Sequence, residues 1–135
     1  MDDIKLLLVD DEEDFIKTLA ERLDLRNLSS NVALDGNEAI REVDDSEPDV
    51  MVLDLKMPGI NGMEVLRRVK SSYPDVQVII QTGHGSEQEE ALARSIGIFD
   101  YLKKPVDVEF LVECIKTAAK AKQEFVNERE RLTLA

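Results

Sequence analysis

Five short apolar runs punctuate the chain, and a longer segment with helical spacing follows each of them. This alternation constrains the fold more than any other feature. The runs are Ile4 to Val9, Asn31 to Leu34, Val50 to Leu53, Val76 to Ile80 and Phe99 to Leu102. The first, third and fourth are rich in Val, Ile and Leu without polar alternation, which predicts strands covered on both faces. Between them, Phe15, Leu19 and Leu23 repeat at four-residue spacing, with Ile16 and Ala20 widening the stripe, and Met63, Leu66 and Val69 repeat at three. Ser86 and Glu89 have the spacing of a capping box, Gly97 is placed to end the helix they begin, and Pro74 breaks the preceding helix. Such alternation builds βαβ units, so the expected class is α/β: a doubly wound, five-stranded parallel sheet with five helices on its two sides. Residues 1–120 are expected to form the domain, and residues 121–135 a C-terminal extension of its last helix.

Charge and composition narrow the function. A net charge of -12 disfavours nucleic acid, which needs clustered Lys and Arg, and disfavours anionic membrane surfaces. Proteins or a cation are the expected partners. No apolar run approaches the roughly 18 residues of a membrane span, and no basic-then-apolar leader opens the chain. The single cysteine, Cys114, excludes an internal disulfide and any multi-cysteine metal site, so a reducing, cytoplasmic setting is expected.

Ligands of open parallel α/β sheets bind beyond the carboxyl ends of the strands. There this sequence carries Asp10 and Asp11 after the first strand, Asp54 after the third, Thr82 after the fourth and Lys104 after the fifth. Carboxylates gathered together resist ionising, and a hard divalent cation relieves that repulsion. Oxygen-only donors suit Mg²⁺, and the absence of His and Cys ligand pairs disfavours zinc. Lys104 supplies a point charge for a phosphoryl group and Thr82 a hydroxyl donor. The set is suited to phosphoryl transfer onto an aspartate, where positioning and charge neutralisation supply most of the catalysis. A flavin or nucleotide site is a poor alternative, because Asp10 and Asp11 would repel phosphate. An aspartyl-phosphate hydrolase of the haloacid-dehalogenase type needs a second Asp where Lys56 stands.

Taken together, VDDEED, DLKMPGINGMEVL, the Thr of IIQTGHG and YLKKP resemble the receiver domain of two-component response regulators, in order and at that family's spacing over roughly residues 3–120. The wording of DLKMPGINGMEVL is similar to receivers of enhancer-binding transcriptional activators. The resemblance implies a flavodoxin-like fold with strand order 2-1-3-4-5. It implies a response regulator that takes a phosphoryl group on Asp54 from a sensor histidine kinase or phosphotransfer protein, and that catalyses only its own phosphorylation and dephosphorylation. Mg²⁺ would be held by Asp10 and Asp11, aided by Asp54 and the backbone carbonyl of Lys56. Lys104 would bind a phosphoryl oxygen, with a cis bond to Pro105. Thr82 and Tyr101 match the family's switch pair, whose movement reshapes the face built from the fourth helix, fifth strand and fifth helix. That face, or the C-terminal helix, would then engage an effector protein or a second copy.

The other residues around these motifs read more plainly. Glu12, Glu13 and Asp14 are expected as solvated first-turn acids welcomed by the helix dipole, not as ligands. Asp10 or Asp11 could also cap that helix. Lys103 should face solvent and Cys114 should be buried. His84, in a Gly-His-Gly loop, is expected at most to tune dephosphorylation, as is Lys56. Leu111, Ala118, Phe125 and Leu132 fall at seven-residue intervals, with Cys114 and Ala121 between them until Glu128 interrupts. That is too short for a convincing coiled coil, and leaves open a fraying end or a helix that continues and pairs.

Overall fold

A computed structural model describes residues 3–134, over which strands and helices alternate from β1 to α5. The elements are β1 (Leu6–Val9), α1 (Glu13–Asp24), β2 (Ser30–Ala33), α2 (Gly36–Asp45), β3 (Val50–Leu53), α3 (Gly62–Ser72), β4 (Gln77–Thr82), α4 (Glu87–Ile96), β5 (Asp100–Lys103) and α5 (Val108–Leu134). The strands pair in parallel in the order β2-β1-β3-β4-β5, so the sheet is doubly wound as expected.

Strand residues alternate between two apolar clusters, one on each face of the sheet. Leu7, Val9, Met51, Leu53, Val78 and Ile80 point into a cluster closed by Val43, Val65, Leu66, Val69 and Ala93 of α2, α3 and α4. Leu6, Leu8, Val50, Val52 and Ile79 point into the other, closed by Ile16, Leu19 and Leu23 of α1 and by Leu111, Ile115 and Ala118 of α5. Burial on both faces explains why β1, β3 and β4 read as unbroken apolar runs.

Helix boundaries follow local chemistry. Asp35, Asn61 and Ser86 each accept a backbone N–H three residues on, opening α2, α3 and α4. At α4 the capping box is complete, since the Glu89 carboxylate also accepts the Ser86 N–H at 3.1 Å. Gly97 ends that helix at φ +118°, a conformation side chains disfavour.

The differences from expectation are small but informative. In α1 the buried stripe is Ile16, Leu19 and Leu23, whereas Phe15 lies on the rim with 38% of its surface exposed. In α3 the fully buried positions are Val65, Leu66 and Val69, and Met63 is only partly covered. Strand β4 continues through Gln81 to Thr82 instead of stopping at Ile80. Polar side chains ended the apolar pattern there, but the backbone ladder carries on to Lys103 of β5.

Candidate functional site

The backbone ladders deliver the polar residues to one edge. Val9 pairs with Leu53 and Leu53 with Ile80, so Asp10 and Asp54, each one residue further, lie on adjacent strand ends. The ladder continues through them: the Asp10 N–H donates to Ala33 O at 3.1 Å and the Asp54 N–H to Val9 O at 3.0 Å. On the other side, the Lys104 N–H donates to Thr82 O at 2.9 Å. Asp10, Asp54 and Lys104 are therefore fixed at their Cα atoms by sheet hydrogen bonds rather than by mobile loop.

Their side chains converge. Lys104 Nζ donates to Asp10 Oδ2 at 2.8 Å, to Glu12 Oε1 at 3.1 Å and to Asp54 Oδ2 at 3.3 Å. Both aspartates are buried, at 2% and 5% exposure. Their remaining oxygens accept backbone N–H groups, Asp10 Oδ1 from Glu12 at 2.9 Å and Asp54 Oδ1 from Lys56 at 3.1 Å. Asp10 thus braces the turn into α1 and faces the site with its second oxygen. Burial raises the Asp10 pKa above the usual carboxylate value, partly countered by the hydrogen bond and charge of Lys104. Burial also works against the Lys104 ammonium, but hydrogen bonds to Asp10 and Glu12 outweigh it and raise that pKa. The lysine is charged throughout the physiological range.

Among the described residues, one carboxylate oxygen each from Asp10, Glu12 and Asp54 lies within 4.8 Å of the others. Hard oxygen donors at this spacing fit a divalent cation such as Mg²⁺. Two acids of the run after β1 sit differently from their neighbours. Glu12 is not simply a solvated helix-start acid: it is exposed, yet its carboxylate reaches across to Lys104 and joins the cluster. Asp11 is exposed and stands outside that cluster, on the wall of a cleft shared with Lys56, Met57, Asn61 and Glu89. Consecutive residues leaving a strand point in different directions, so two adjacent aspartates do not present equivalent carboxylates.

Thr82 and Tyr101 are brought together by strand parity. Ile80 pairs with Tyr101 and Thr82 with Lys103, so the Thr82 and Tyr101 side chains share the face covered by α3 and α4. The Tyr101 ring is turned inward, 7% exposed, against Gly85 and Thr82. The Thr82 hydroxyl and the Tyr101 hydroxyl are both buried without a hydrogen-bond partner. Burial, with the nearby negative charges of Glu89, Glu90 and Asp54, raises the Tyr101 pKa. An unpaired buried donor costs about 1–3 kcal/mol, so Thr82 is poised for an acceptor placed beside it.

The flanking residues fall as follows. Lys56 Nζ pairs with Glu89 Oε2 at 3.0 Å, tying the loop after β3 to the first turn of α4. His84 and Lys103 are exposed, and Cys114 is buried at 8% exposure, its thiol pKa pushed up to about 11 by burial and by Asp100. The Lys104–Pro105 bond is cis. Among the described residues no helix is long and apolar enough to cross a membrane.

The model of the response regulator receiver domain matches residues 6–116. The transcriptional regulatory protein GlrR of Escherichia coli (strain K12) is 34% identical over 126 residues, which cover 93% of this chain and 28% of that protein. This chain therefore spans under a third of that relative's length. A receiver domain from Clostridium thermocellum superposes with a TM-score of 0.85 at 33% identity, covering 90% of this chain and 98% of the other. A response regulator from Burkholderia pseudomallei, solved with a phosphorylated aspartic acid, a calcium ion and citrate, aligns with a TM-score of 0.79 at 27% identity, covering 97% and 75% of the two chains. With four strand ends delivering two buried aspartates, a threonine and a lysine to one edge, and the family match spanning that whole frame, this chain belongs to the response regulator receiver domains of two-component signalling.

Proposed function

We propose that Asp54 accepts a phosphoryl group from a phosphohistidine of a sensor kinase or phosphotransfer protein. The observation that carries this reading is the position of Asp54 on the middle strand of the site, with Asp10 on one side and Thr82 and Lys104 on the other. A group built on Asp54 reaches both flanks, whereas one built on Asp10 reaches the lysine but lies a strand further from Thr82. In the transfer, a carboxylate oxygen of Asp54 attacks phosphorus and the P–N bond to the donor imidazole breaks. The bonding electrons stay with the imidazole nitrogen, and the product is an acyl phosphate. Lys104 neutralises charge on a phosphoryl oxygen and the Thr82 hydroxyl donates to another.

Asp10 and Asp54, with Asp11 and the Lys56 carbonyl, are proposed to hold Mg²⁺; Glu12 is a further candidate, within reach of both buried aspartates. When bound, the ion supplies charge neutralisation for the incoming phosphoryl group. The related Burkholderia protein, with its phosphorylated aspartate and calcium ion, supports this reading by analogy. The chain would act in the cytoplasm and turn over only its own acyl phosphate. Movement of Thr82 towards the new group, with Tyr101 packed behind it, would bias the surface of α4, β5 and α5 towards an effector or a second copy.

The test uses acetyl phosphate with Mg²⁺ as the phosphoryl donor. Intact mass should show one added phosphoryl group in the native sequence and none in Asp54→Asn, and a chelator should abolish labelling. Labelling of Asp54→Asn at the native rate would sink the assignment.

A further inference from the structure

Lysine is a compact charge on a flexible four-carbon stem, so its catalytic use at Lys104 depends on what confines it. The three carboxylates at 2.8, 3.1 and 3.3 Å pull the ammonium in different directions. Asp10 and Asp54 draw it inward, while Glu12, 65% exposed at its side chain, draws it towards solvent. Something must close the outer side. The Phe15 ring does so, with Lys104 Nζ 4.3 Å from its centroid. Phe15 stands in the first turn of α1, and helical side chains lean back towards the helix N-terminus, which is the rim of the site. The sequence pattern assigned Phe15 to the core of α1, yet the structure leaves it 38% exposed while its neighbour Ile16 takes the core position.

We propose that Phe15 is a positioning residue for Lys104, its ring face holding the ammonium over Asp10 and Asp54 by a cation–π contact. This rests on the phosphoacceptor reading of Asp54. Attraction to a ring face is broad, without the directionality of a hydrogen bond. The ammonium can therefore follow its acceptor as the Asp54 carboxylate becomes the larger acyl phosphate, and still not swing out into water. A carboxylate in place of the ring would instead compete with the phosphoryl group for the same charge.

The bland alternative is that Phe15 merely covers the cleft it shares with Leu19, Gln81, Val106 and Val108. Two substitutions separate the readings. Phe15→Leu keeps an apolar cover and removes the ring face; Phe15→Trp keeps the face. At saturating Mg²⁺ and acetyl phosphate, Phe15→Leu should be labelled about threefold to tenfold more slowly, and Phe15→Trp at or above the native rate. Mg²⁺ affinity of the two variants should differ by less than about twofold, because no ion ligand has changed. Independently of labelling, the Lys104 ε-methylene protons should show an upfield ring-current shift in the native protein, lost in Phe15→Leu and kept in Phe15→Trp. Native-rate labelling of Phe15→Leu, equal slowing in both variants, or no ring-current shift in the native protein would each overturn the proposal. Failure of the native protein to label at all would instead overturn the phosphoacceptor reading, and the ring-current shift would then decide the contact alone.

Discussion

At the scale of single residues, burial separates side chains that the sequence presents as equals. Asp10 and Asp11 are neighbours and chemically identical, but Asp10 is 2% exposed and Asp11 is exposed. Tyr101 is the other case. Its ring occupies space that only glycine at position 85 leaves free, since a Cβ built there would lie 1.6 Å from the Tyr101 hydroxyl oxygen. Gly85→Ala should therefore expel the ring from its inward place. NMR of the Tyr101 ring should report a solvent-exposed environment, with a loss of stability of about 1–3 kcal/mol if the ring is forced to stay. Unchanged Tyr101 ring shifts in a folded Gly85→Ala protein would show that the loop yields instead of the ring. Placing Tyr101 and Thr82 on one face required the register of β4 and β5, which the residue types do not encode. The partners of Lys104 were half legible: Asp10 and Asp54 follow from strand ends, whereas Glu12 and Phe15 meet the lysine only because its long side chain reaches across the strand ends to the start of α1.

Among the elements, α5 departs most from a simple reading. Its 27 residues make a helix about 40 Å long, and it serves two purposes along that length. Leu111, Cys114 and Ala118, the first half of the seven-residue pattern, are buried against the domain's own sheet. Phe125 and Leu132 continue the pattern but are 59% and 67% exposed. The extension does not simply fray. Lys122, almost buried, donates to Pro48 O and Asp49 Oδ1 at 3.1 Å and pairs with Glu47, while Arg129 grips Asp75 through its two terminal guanidinium nitrogens. The Arg129 hydrogen bonds hold the Asp75 pKa below the usual value of 3.8. A depressed folded-state pKa contributes stability that is present above the ordinary value and is lost as pH falls through the lowered one. Amide exchange in residues 122–134, corrected for its intrinsic pH dependence, should accordingly be faster at about pH 3 than at about pH 6. Asp75→Asn should remove that difference; if it persists unchanged, the Arg129 pair does not hold the extension down. Both partners are partly exposed, so the effect will be modest and weakened by salt.

For the molecule as a whole, a charge of -12 opposes self-association, and any pairing must overcome it through apolar contact. The exposed Phe125 and Leu132 supply such contact on a helix whose Lys122 and Arg129 pair with Asp49 and Asp75. Light scattering at about 0.15 M salt, where the screening length is about 8 Å, should show the mass rise towards that of a dimer when Mg²⁺ and beryllofluoride are added. Truncation after Ala121 should abolish the rise. An unchanged mass in the full chain, with and without the analogue, would remove the helix as a pairing device.

The sequence by itself determined the α/β class, the placement of each strand to within a residue or two, the capping box at Ser86 and the strand ends that carry Asp10, Asp54, Thr82 and Lys104. These follow from local chemistry: apolar runs long enough only for strands, helical spacing between them, and polar residues where each run stops. The tertiary structure alone decided which neighbouring acid turns inward, that Glu12 and Phe15 meet Lys104 from a distant part of the chain, and that the end of α5 is tied to the segments just before β3 and β4. Those depend on distances between segments as much as 94 residues apart in the chain, set by strand register and helix packing. No local pattern of residue types carries that information.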